Sequence, residues 1–330
     1  MKNKYQGLVV RKSASKEITF TVEMLDQEFL PESDILIRVQ YSTINYKDLM
    51  SVQGNLAITR RFPHTPGIDA VGVIEKSNSV KYSVGDRVAV LSTTMGMSSP
   101  GGFGQYISVP EDWVIAVPES ISSKTLMGYG TAGMTALLAV SEIVLGKAIR
   151  DKRVLVTGAT GGVGSFAIAL LKAAGFEVIA CSGREDQTDF LLSIGADEVV
   201  PRCELEDDQP QNLLKPRWWA AVDTVGGNIL TNIIKQTGDN GIVTSMGMVN
   251  DTVFKTNVLP FILRAVRLVG INTEMLPASD RINLINQSDY RLNPQILDKI
   301  CKTIQLSDLE VCIRDYLCGK ISGRIIIDMT

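Results

Sequence analysis

The chain has 330 residues, with 33 Lys and Arg against 36 Asp and Glu, and 45% of its residues are hydrophobic. This length and apolar content indicate a globular protein with a sizeable core and room for two domains, and they exclude a disordered chain. The net charge of −3 argues against a general nucleic-acid or anionic-membrane surface, so we expect neither partner, although a local basic patch for a phosphorylated substrate is compatible with it.

The expected location is the cytoplasm. The stretch from Met1 to Tyr5 carries no apolar signal segment, and no apolar run is expected to reach the length of a membrane span. The five cysteines include no CxxC pair, which is typical of reduced thiols rather than of a disulfide framework.

The first part of the chain is predicted to form a small β-barrel-type domain. Short alternating segments separated by glycine and proline predict strands at 6–11, 18–24, 34–42, 69–75, 87–91 and 116–117. A short helix is expected to begin at Asn45. A longer helix over 126–140 is expected to lead into the second domain.

A glycine-rich turn predicts a dinucleotide-binding fold. The β-branched run 153–156 leads into Gly161, Gly162, Val163 and Gly164, and an alanine- and leucine-rich helix follows. Glycines at these positions let the backbone approach a diphosphate, while the helix N-terminus offsets its charge. Ala159 replaces the first glycine of the usual motif, which is acceptable if its φ stays negative. The alternative is an ordinary strand-to-helix turn.

Six strands alternating with helices predict a doubly wound parallel sheet, so the fold class is α/β. The strands are expected at 153–156, 177–181, 198–200, 220–224, 241–246 and 268–272. A last strand near the C-terminus cannot extend that sheet simply and is expected to return to the first domain.

The end of the second parallel strand favours NADPH over NADH. An NAD site usually carries Asp or Glu there, whereas this chain has Ser182, Gly183 and Arg184, which suit a 2′-phosphate. Arg202, after the next strand, is expected near the same phosphate. The alternative for Arg184 is that it begins a solvated helix.

Several motifs resemble one protein family across the full chain. They are Asn45-Tyr46-Lys47-Asp48, Pro66-Gly67-Ile68-Asp69, Ser182-Gly183-Arg184, residues 260–264 and Ser322-Gly323-Arg324. The chain resembles the zinc-free quinone oxidoreductase branch of the medium-chain dehydrogenase/reductases, and within it the NADPH-dependent acryloyl-CoA reductases. The resemblance implies a GroES-like catalytic domain at 1–124 and 274–330 and a Rossmann domain at 125–273.

We expect no metal site. Zinc enzymes of the resembled superfamily have a cysteine where this chain has Asn45 and a histidine where it has Ile68. The single histidine, His64, lies between prolines and is interpreted as a loop residue, and no cysteine precedes Cys181. Without a Lewis acid, the remaining chemistry is hydride transfer to an activated C=C bond or to a quinone.

The candidate catalytic residues are expected in a crevice between the domains. Tyr46 should cover the nicotinamide, although a core tyrosine is the alternative. Asn45, Asp48, Asp69 and Arg324 should form a network that could be structural or catalytic, and we favour a supporting role.

Further contacts are expected around the cofactor and substrate. Met248 follows a strand and should line the nicotinamide pocket, and the resemblance adds Ile262, Thr273 and Ser322. Arg264 and Arg267, which lie on one face if their segment is helical, could bind coenzyme A phosphates with Arg60, Arg61 and Arg281. A solvated basic face is the alternative for each arginine.

Three functions are compatible with these residues: an NADPH-dependent reductase of α,β-unsaturated acyl-CoA, a broad quinone or enone reductase, and a non-catalytic NADPH-binding sensor. The apolar edge strand at 268–272 predicts a homodimer joined through the Rossmann sheets, an arrangement found in the resembled superfamily. A monomer whose tail covers this edge is the alternative.

Overall fold

The computed structural model describes residues 4–146, 153–207, 209–286 and 292–330. Met1–Asn3, on which the expectation about the amino terminus partly rests, lie outside the described residues. The chain divides into two compact units: unit 1 comprises Met1–Thr131, Glu274–Asn286 and Cys301–Thr330, and unit 2 comprises Ala132–Thr273 and Gln287–Ile300. The domain boundaries expected from the sequence, 1–124 with 274–330 and 125–273, stay a prediction.

The helices and strands follow in chain order. Those up to residue 145 are β1 (Lys4–Lys12), β2 (Ile18–Asp26), β3 (Ile35–Thr43), α1 (Tyr46–Val52), β4 (Ala70–Ser77), β5 (Arg87–Val90), β6 (Tyr106–Val109), β7 (Ile115–Ala116) and α2 (Ser123–Leu145). Those of the central part are β8 (Arg153–Val156), α3 (Gly162–Ala173), β9 (Glu177–Ser182), α4 (Thr188–Ser193), β10 (Glu198–Pro201), α5 (Cys203–Glu206), β11 (Trp218–Asp223), α6 (Gly227–Gln236), β12 (Thr237–Ser245), α7 (Leu259–Arg264) and β13 (Arg267–Gly270). The last are α8 (Ala278–Asn286), α9 (Pro294–Ile300), β14 (Cys301–Gln305), α10 (Leu309–Leu317) and β15 (Arg324–Asp328).

Unit 2 contains the expected doubly wound sheet. Within the described residues, six parallel strands lie in the order β10-β9-β8-β11-β12-β13. The sheet is covered on both faces, so Val154, Leu155 and Val156 of the central strand β8 are fully buried. Burying such side chains contributes roughly 1.5–3 kcal/mol each.

Unit 1 is built on a mainly antiparallel sheet, as the expected barrel-type domain requires. Its strands, counted over the described residues, are β14-β15-β3-β4-β5-β7, with β6 also paired to β3. The C-terminal strand β15 pairs antiparallel with β3, so the tail returns to unit 1 as expected. Strand β6 was not expected. It has only four residues, too few for its alternation to stand out.

Helix α2 is longer than expected and bends at Gly130, whose φ is 48° and ψ −157°. It is long and apolar enough to cross a membrane by length and composition, so the expectation that no apolar run reaches that length is wrong. In its most apolar window, 67% of the residues are buried within the protein, as in a core helix. Length and apolar composition are met equally by a buried core helix, so they do not by themselves indicate a membrane span.

Candidate functional site

The glycine-rich turn of unit 2 forms an anion cradle. Helix α3 begins at Gly162, and Gly161 precedes it with φ −80° and no capping side chain, so the first N–H groups of the helix stay open to an anion. Gly158 adopts a positive φ of 57° at the turn. Ala159 does not have a positive φ, so alanine is acceptable at its position. A Cβ at Gly164 would collide with the carbonyl of Gly158, so this glycine lets the helix lie close to the turn. The cradle fits a diphosphate.

The carboxyl ends of three parallel strands are joined beside this cradle by Asp223, a residue that the sequence did not single out. Its buried carboxylate accepts hydrogen bonds from the hydroxyl of Thr157 (2.8 Å) and of Ser245 (3.2 Å), and from the N–H of Gly226 (3.1 Å). Burial raises the pKa of Asp223, while these bonds favour its ionised form. The chain segments at the carboxyl ends of β8, β11 and β12 are thereby fixed to one another.

The end of β9 brings together the expected 2′-phosphate residues. The N–H of Arg184 donates to Ser182 Oγ (3.0 Å), and a Cβ at Gly183 would stand 3.2 Å from Cζ of Arg202. The guanidinium of Arg202 thus lies against Gly183, where its Nε also donates to Glu206 (2.6 Å). Arg184 precedes a single turn of 3-10 helix, with its side chain half-buried. The donor set suits a phosphate better than a ribose diol.

The expected nicotinamide residues differ in their surroundings. Met248 follows β12 and is 42% exposed, while Ile262 on α7 is 68% exposed. Thr273 is buried near the end of unit 2, and Ser322 is half-buried in unit 1. Their contacts with a cofactor stay predictions.

In unit 1, helix α1 is held by a buried capping box. Asn45 precedes the helix, and its N–H donates to Asp48 Oδ2 (2.8 Å). The other oxygen, Oδ1, accepts the N–H groups of Gly67 and Ile68, both at 3.0 Å. Burial raises the pKa of Asp48 to about 7, and the nearby Asp69 adds to that shift. Tyr46 therefore begins a firmly anchored helix.

Asn45 also belongs to a second buried hydrogen-bond network, which includes Asp69 and Arg324. Its side chain donates to Asp69 Oδ2 (2.9 Å) and accepts from Nη1 of Arg324 (2.9 Å), while Nη2 of Arg324 lies 3.5 Å from Asp69. Asp69 also accepts from the N–H and the hydroxyl of Thr131, at 2.8 and 2.6 Å. The structure thus brings together all four expected network residues and adds Thr131, which no sequence signal indicated. Asp69 and Arg324 are at most 1% exposed, which favours a positioning role.

Tyr46 is 45% exposed, so the alternative of a core tyrosine is wrong. The next residue, Lys47, forms an ion pair with Glu274, on the segment by which the chain returns to unit 1. Tyr46 is thus partly open to solvent at the start of an anchored helix, where it can meet a ligand.

The family resemblance aligns Asn45 and Ile68 with two ligands of the zinc enzymes, and neither residue has the imidazole or thiol side chain of such a site. Asn45 and Ile68 serve the buried network, and His64 Nε2 donates to the carbonyl of Gly96 (2.7 Å). Burial lowers the pKa of His64, which favours its neutral form. In the part of the chain that the structure describes, no three His, Cys, Asp or Glu side chains cluster as metal ligands. That the enzyme holds no zinc stays a prediction.

Two of the arginines expected to bind coenzyme A are already engaged, so their assignment is wrong. The guanidinium of Arg264 donates to the carbonyls of Leu214, Lys235 and Thr237. Arg281 is buried and donates to three other carbonyls, those of Leu91, Glu274 and Leu276. Arg264 ends α7 and Arg267 begins β13, so the two share no helix face.

Together, a parallel sheet with a glycine cradle and an antiparallel unit carrying an anchored tyrosine define a two-domain, nicotinamide-dependent oxidoreductase. Two family models match the chain: an alcohol dehydrogenase GroES-like domain over residues 31–119 and a zinc-binding dehydrogenase domain over residues 162–285. The chain belongs to the medium-chain dehydrogenase/reductase family, as the sequence motifs predicted.

Full-length relatives narrow this assignment. The acrylyl-CoA reductase AcuI of Ruegeria pomeroyi is 35% identical, with 98% of this chain and 99% of the relative covered. The Bacillus subtilis protein YhfP, provisionally named a quinone oxidoreductase, is 36% identical with both chains fully covered, and a crystal structure of it with NAD bound has a TM-score of 0.91. The Salmonella enterica oxidoreductase yhdH in complex with NADP has a TM-score of 0.92 at 33% identity, covering 98% of this chain and 100% of its own.

Proposed function

We propose that the protein reduces the C=C bond of an α,β-unsaturated acyl-CoA such as acryloyl-CoA, with NADPH as the cofactor and without zinc. The observation that carries the proposal is the 35% identity with an acrylyl-CoA reductase over nearly the full length of both chains. The lack of zinc ligands at Asn45 and Ile68 agrees with chemistry that needs no Lewis acid.

The cofactor-binding set is the one expected from the sequence. Gly161, Gly162, Val163 and Gly164 would hold the diphosphate, and Ser182, Gly183, Arg184 and Arg202 the 2′-phosphate. Further contacts are assigned to Tyr46, Met248, Ile262, Thr273 and Ser322. NADPH, when bound, supplies a hydride for the β carbon of the substrate.

The chain's own residues orient the substrate and move protons. Negative charge develops on the thioester oxygen during reduction, and a donor such as the hydroxyl of Tyr46 or a backbone N–H stabilises it. Solvent or Tyr46 then protonates the α carbon. Asn45, Asp48, Asp69 and Arg324 act by holding α1, and with it Tyr46, in one position.

Steady-state oxidation of NADPH tests the proposal. The kcat/KM with acryloyl-CoA is expected to exceed that with every member of a quinone and enone panel by at least tenfold. A higher kcat/KM with quinones would replace the proposal by the second candidate, a quinone oxidoreductase. The name and 36% identity of YhfP support that candidate.

The proposed assembly is a homodimer joined through the edge strand β13, in the cytoplasm. Strand β13 lies at the edge of the six-stranded sheet of the described part of unit 2, and its sequence Arg-Leu-Val-Gly contains no proline. An apolar edge of this kind favours pairing with a second copy around a two-fold axis.

A further inference from the structure

One basic segment of unit 1 carries no acidic partner. From Leu49 to Ile68 the sequence has no Asp or Glu, yet it includes Arg60 and Arg61. Both arginines are exposed, and among the described residues neither forms an ion pair. In a chain of net charge −3, this is a local concentration of positive charge.

A third cation, on β1, lies beside the same segment. Lys12 Nζ lies 6.0 Å from the ring centre of Phe62, the residue after Arg61. Strand β1 runs beside this segment because Val10 and His64 exchange two backbone hydrogen bonds, of 2.7 and 3.0 Å. We name Lys12, Arg60 and Arg61 the basic cluster.

The basic cluster is anchored to the helix that begins with Tyr46. The hydroxyls of Ser51, on α1, and Thr59 lie 2.7 Å apart, and both residues are fully buried. The N–H of Thr59 also donates to the carbonyl of Asn55 (2.9 Å). The helix from Tyr46 to Ser51 and the hydrogen bond between Ser51 and Thr59 together place the backbone of Arg60 within about 20 Å of that of Tyr46.

We propose that the basic cluster binds the phosphate groups of coenzyme A while the thioester is reduced beside Tyr46. Guanidinium groups bind phosphate oxygens through paired hydrogen bonds, and an adjacent ammonium adds charge. In coenzyme A, the long pantetheine arm separates the thioester from the phosphates, so their site must lie away from Tyr46 yet fixed relative to it. The inference rests on the proposed function, because it needs a coenzyme A thioester as substrate.

Equilibrium binding tests the site without catalysis. The double variant Arg60→Ala with Arg61→Ala is expected to raise the Kd of free coenzyme A for NADPH-saturated protein by roughly ten- to a hundredfold. The matched control is Lys76→Ala with Lys124→Ala, which removes the same charge from exposed positions of unit 1 and should leave Kd unchanged. Failure of the unmodified protein to bind coenzyme A, or equal Kd values for all three proteins, overturns the proposal.

Kinetics separate this proposal from the proposed function. In the arginine variant, KM is expected to rise for acryloyl-CoA and to stay unchanged for acryloyl-N-acetylcysteamine, which lacks the nucleotide, with kcat preserved for both. An equal rise in the two KM values overturns the site. If the unmodified protein binds coenzyme A through the basic cluster but reduces neither thioester, the proposed function is wrong and the site stands.

Discussion

Asp48 is subject to two opposed influences. Burial raises its pKa to about 7, whereas hydrogen bonds from the N–H groups of Asn45, Gly67 and Ile68 favour the ionised form. Because the folded pKa lies above the unfolded value of 3.8, the folded state binds the proton more tightly. The resulting stabilisation is fully present below about pH 4 and is lost as the pH rises through 7.

We therefore expect Asp48→Asn to flatten the pH dependence of stability. The difference in unfolding free energy, unmodified protein minus variant, should fall by up to about 1.4 kcal/mol per pH unit between pH 4 and 7. Denaturant titrations at four pH values measure it. The control is Asp86→Asn, which makes the same substitution at an exposed carboxylate that accepts the N–H of Ser83 (2.8 Å). A constant difference for Asp48→Asn contradicts the burial argument.

Arg184 is expected to determine cofactor preference, with Ser182 assisting. Loss of a charge-assisted phosphate contact costs about 1.5–3 kcal/mol, so Arg184→Ala should raise the Kd of NADPH roughly ten- to a hundredfold and leave that of NADH nearly unchanged. Fluorescence titrations of both cofactors measure this, and Arg184→Lys, which keeps the charge, should lose less. Equal losses for NADPH and NADH would refute the assignment.

At the scale of the element, the bend in α2 makes room for the buried ion pair. A Cβ on Gly130 would stand 2.8 Å from Oδ2 of Asp69 and closer still to Nη2 of Arg324. The φ of 48° is also unfavourable for alanine. The N–H of Thr131, which follows the bend, donates to Asp69. This carboxylate therefore accepts the first N–H of the second half of the helix.

Gly130→Ala should therefore destabilise the protein by roughly 2–4 kcal/mol. Gly128→Ala, two residues earlier in the same helix, is the matched control. There the added Cβ would stand 3.2 Å from the sulfur of Cys301, and alanine is the better helix former, so we expect a loss below about 1 kcal/mol. Thermal or denaturant unfolding compares the two variants, and equal losses would show that the bend is not needed for the ion pair.

At the scale of the molecule, the proposed dimer forms through the outer edge of β13, the last strand of the six-stranded sheet in the described residues. A substitution that tests the dimer must therefore alter this edge and leave the pairing of β13 with β12 intact. The N–H of Ile271 donates to the carbonyl of Ser245 (3.0 Å), so its backbone faces β12. Alternation along the strand then turns the backbone groups of Leu268 and Gly270 toward the free edge. A proline at 271 would damage the sheet itself, whereas an added Cβ at Gly270 would have no atom of the described residues within 4 Å.

We expect Gly270→Arg to give a folded monomer, because a charged side chain on an edge strand opposes pairing with a second copy of that strand. Gly270→Ala should remain dimeric. Light scattering at micromolar concentration measures the masses, and circular dichroism checks that both variants fold. A monomeric unmodified protein, or a dimeric Gly270→Arg variant, would contradict the proposed interface.

We also expect the purified protein to carry less than stoichiometric zinc and to keep its activity after dialysis against a chelator. The reason is that Asn45 and Ile68, which the family resemblance aligns with zinc ligands, are both engaged in the buried network. Elemental analysis and parallel rate measurements test this. One zinc per chain together with loss of activity on chelation would show that other residues bind a metal.

The sequence by itself determined the features whose signals are local. The individual strands of unit 2, the glycine cradle before α3 and the helix after Asn45 all depend on residues within a few positions of one another, where periodicity, glycine spacing and capping act directly. Only the tertiary structure decided which distant groups meet. Arg281 donates to Leu91, 190 residues away, and Thr131 donates to Asp69, 62 residues away. A buried polar group must find a hydrogen-bond partner wherever folding places one, and no local pattern indicates that position.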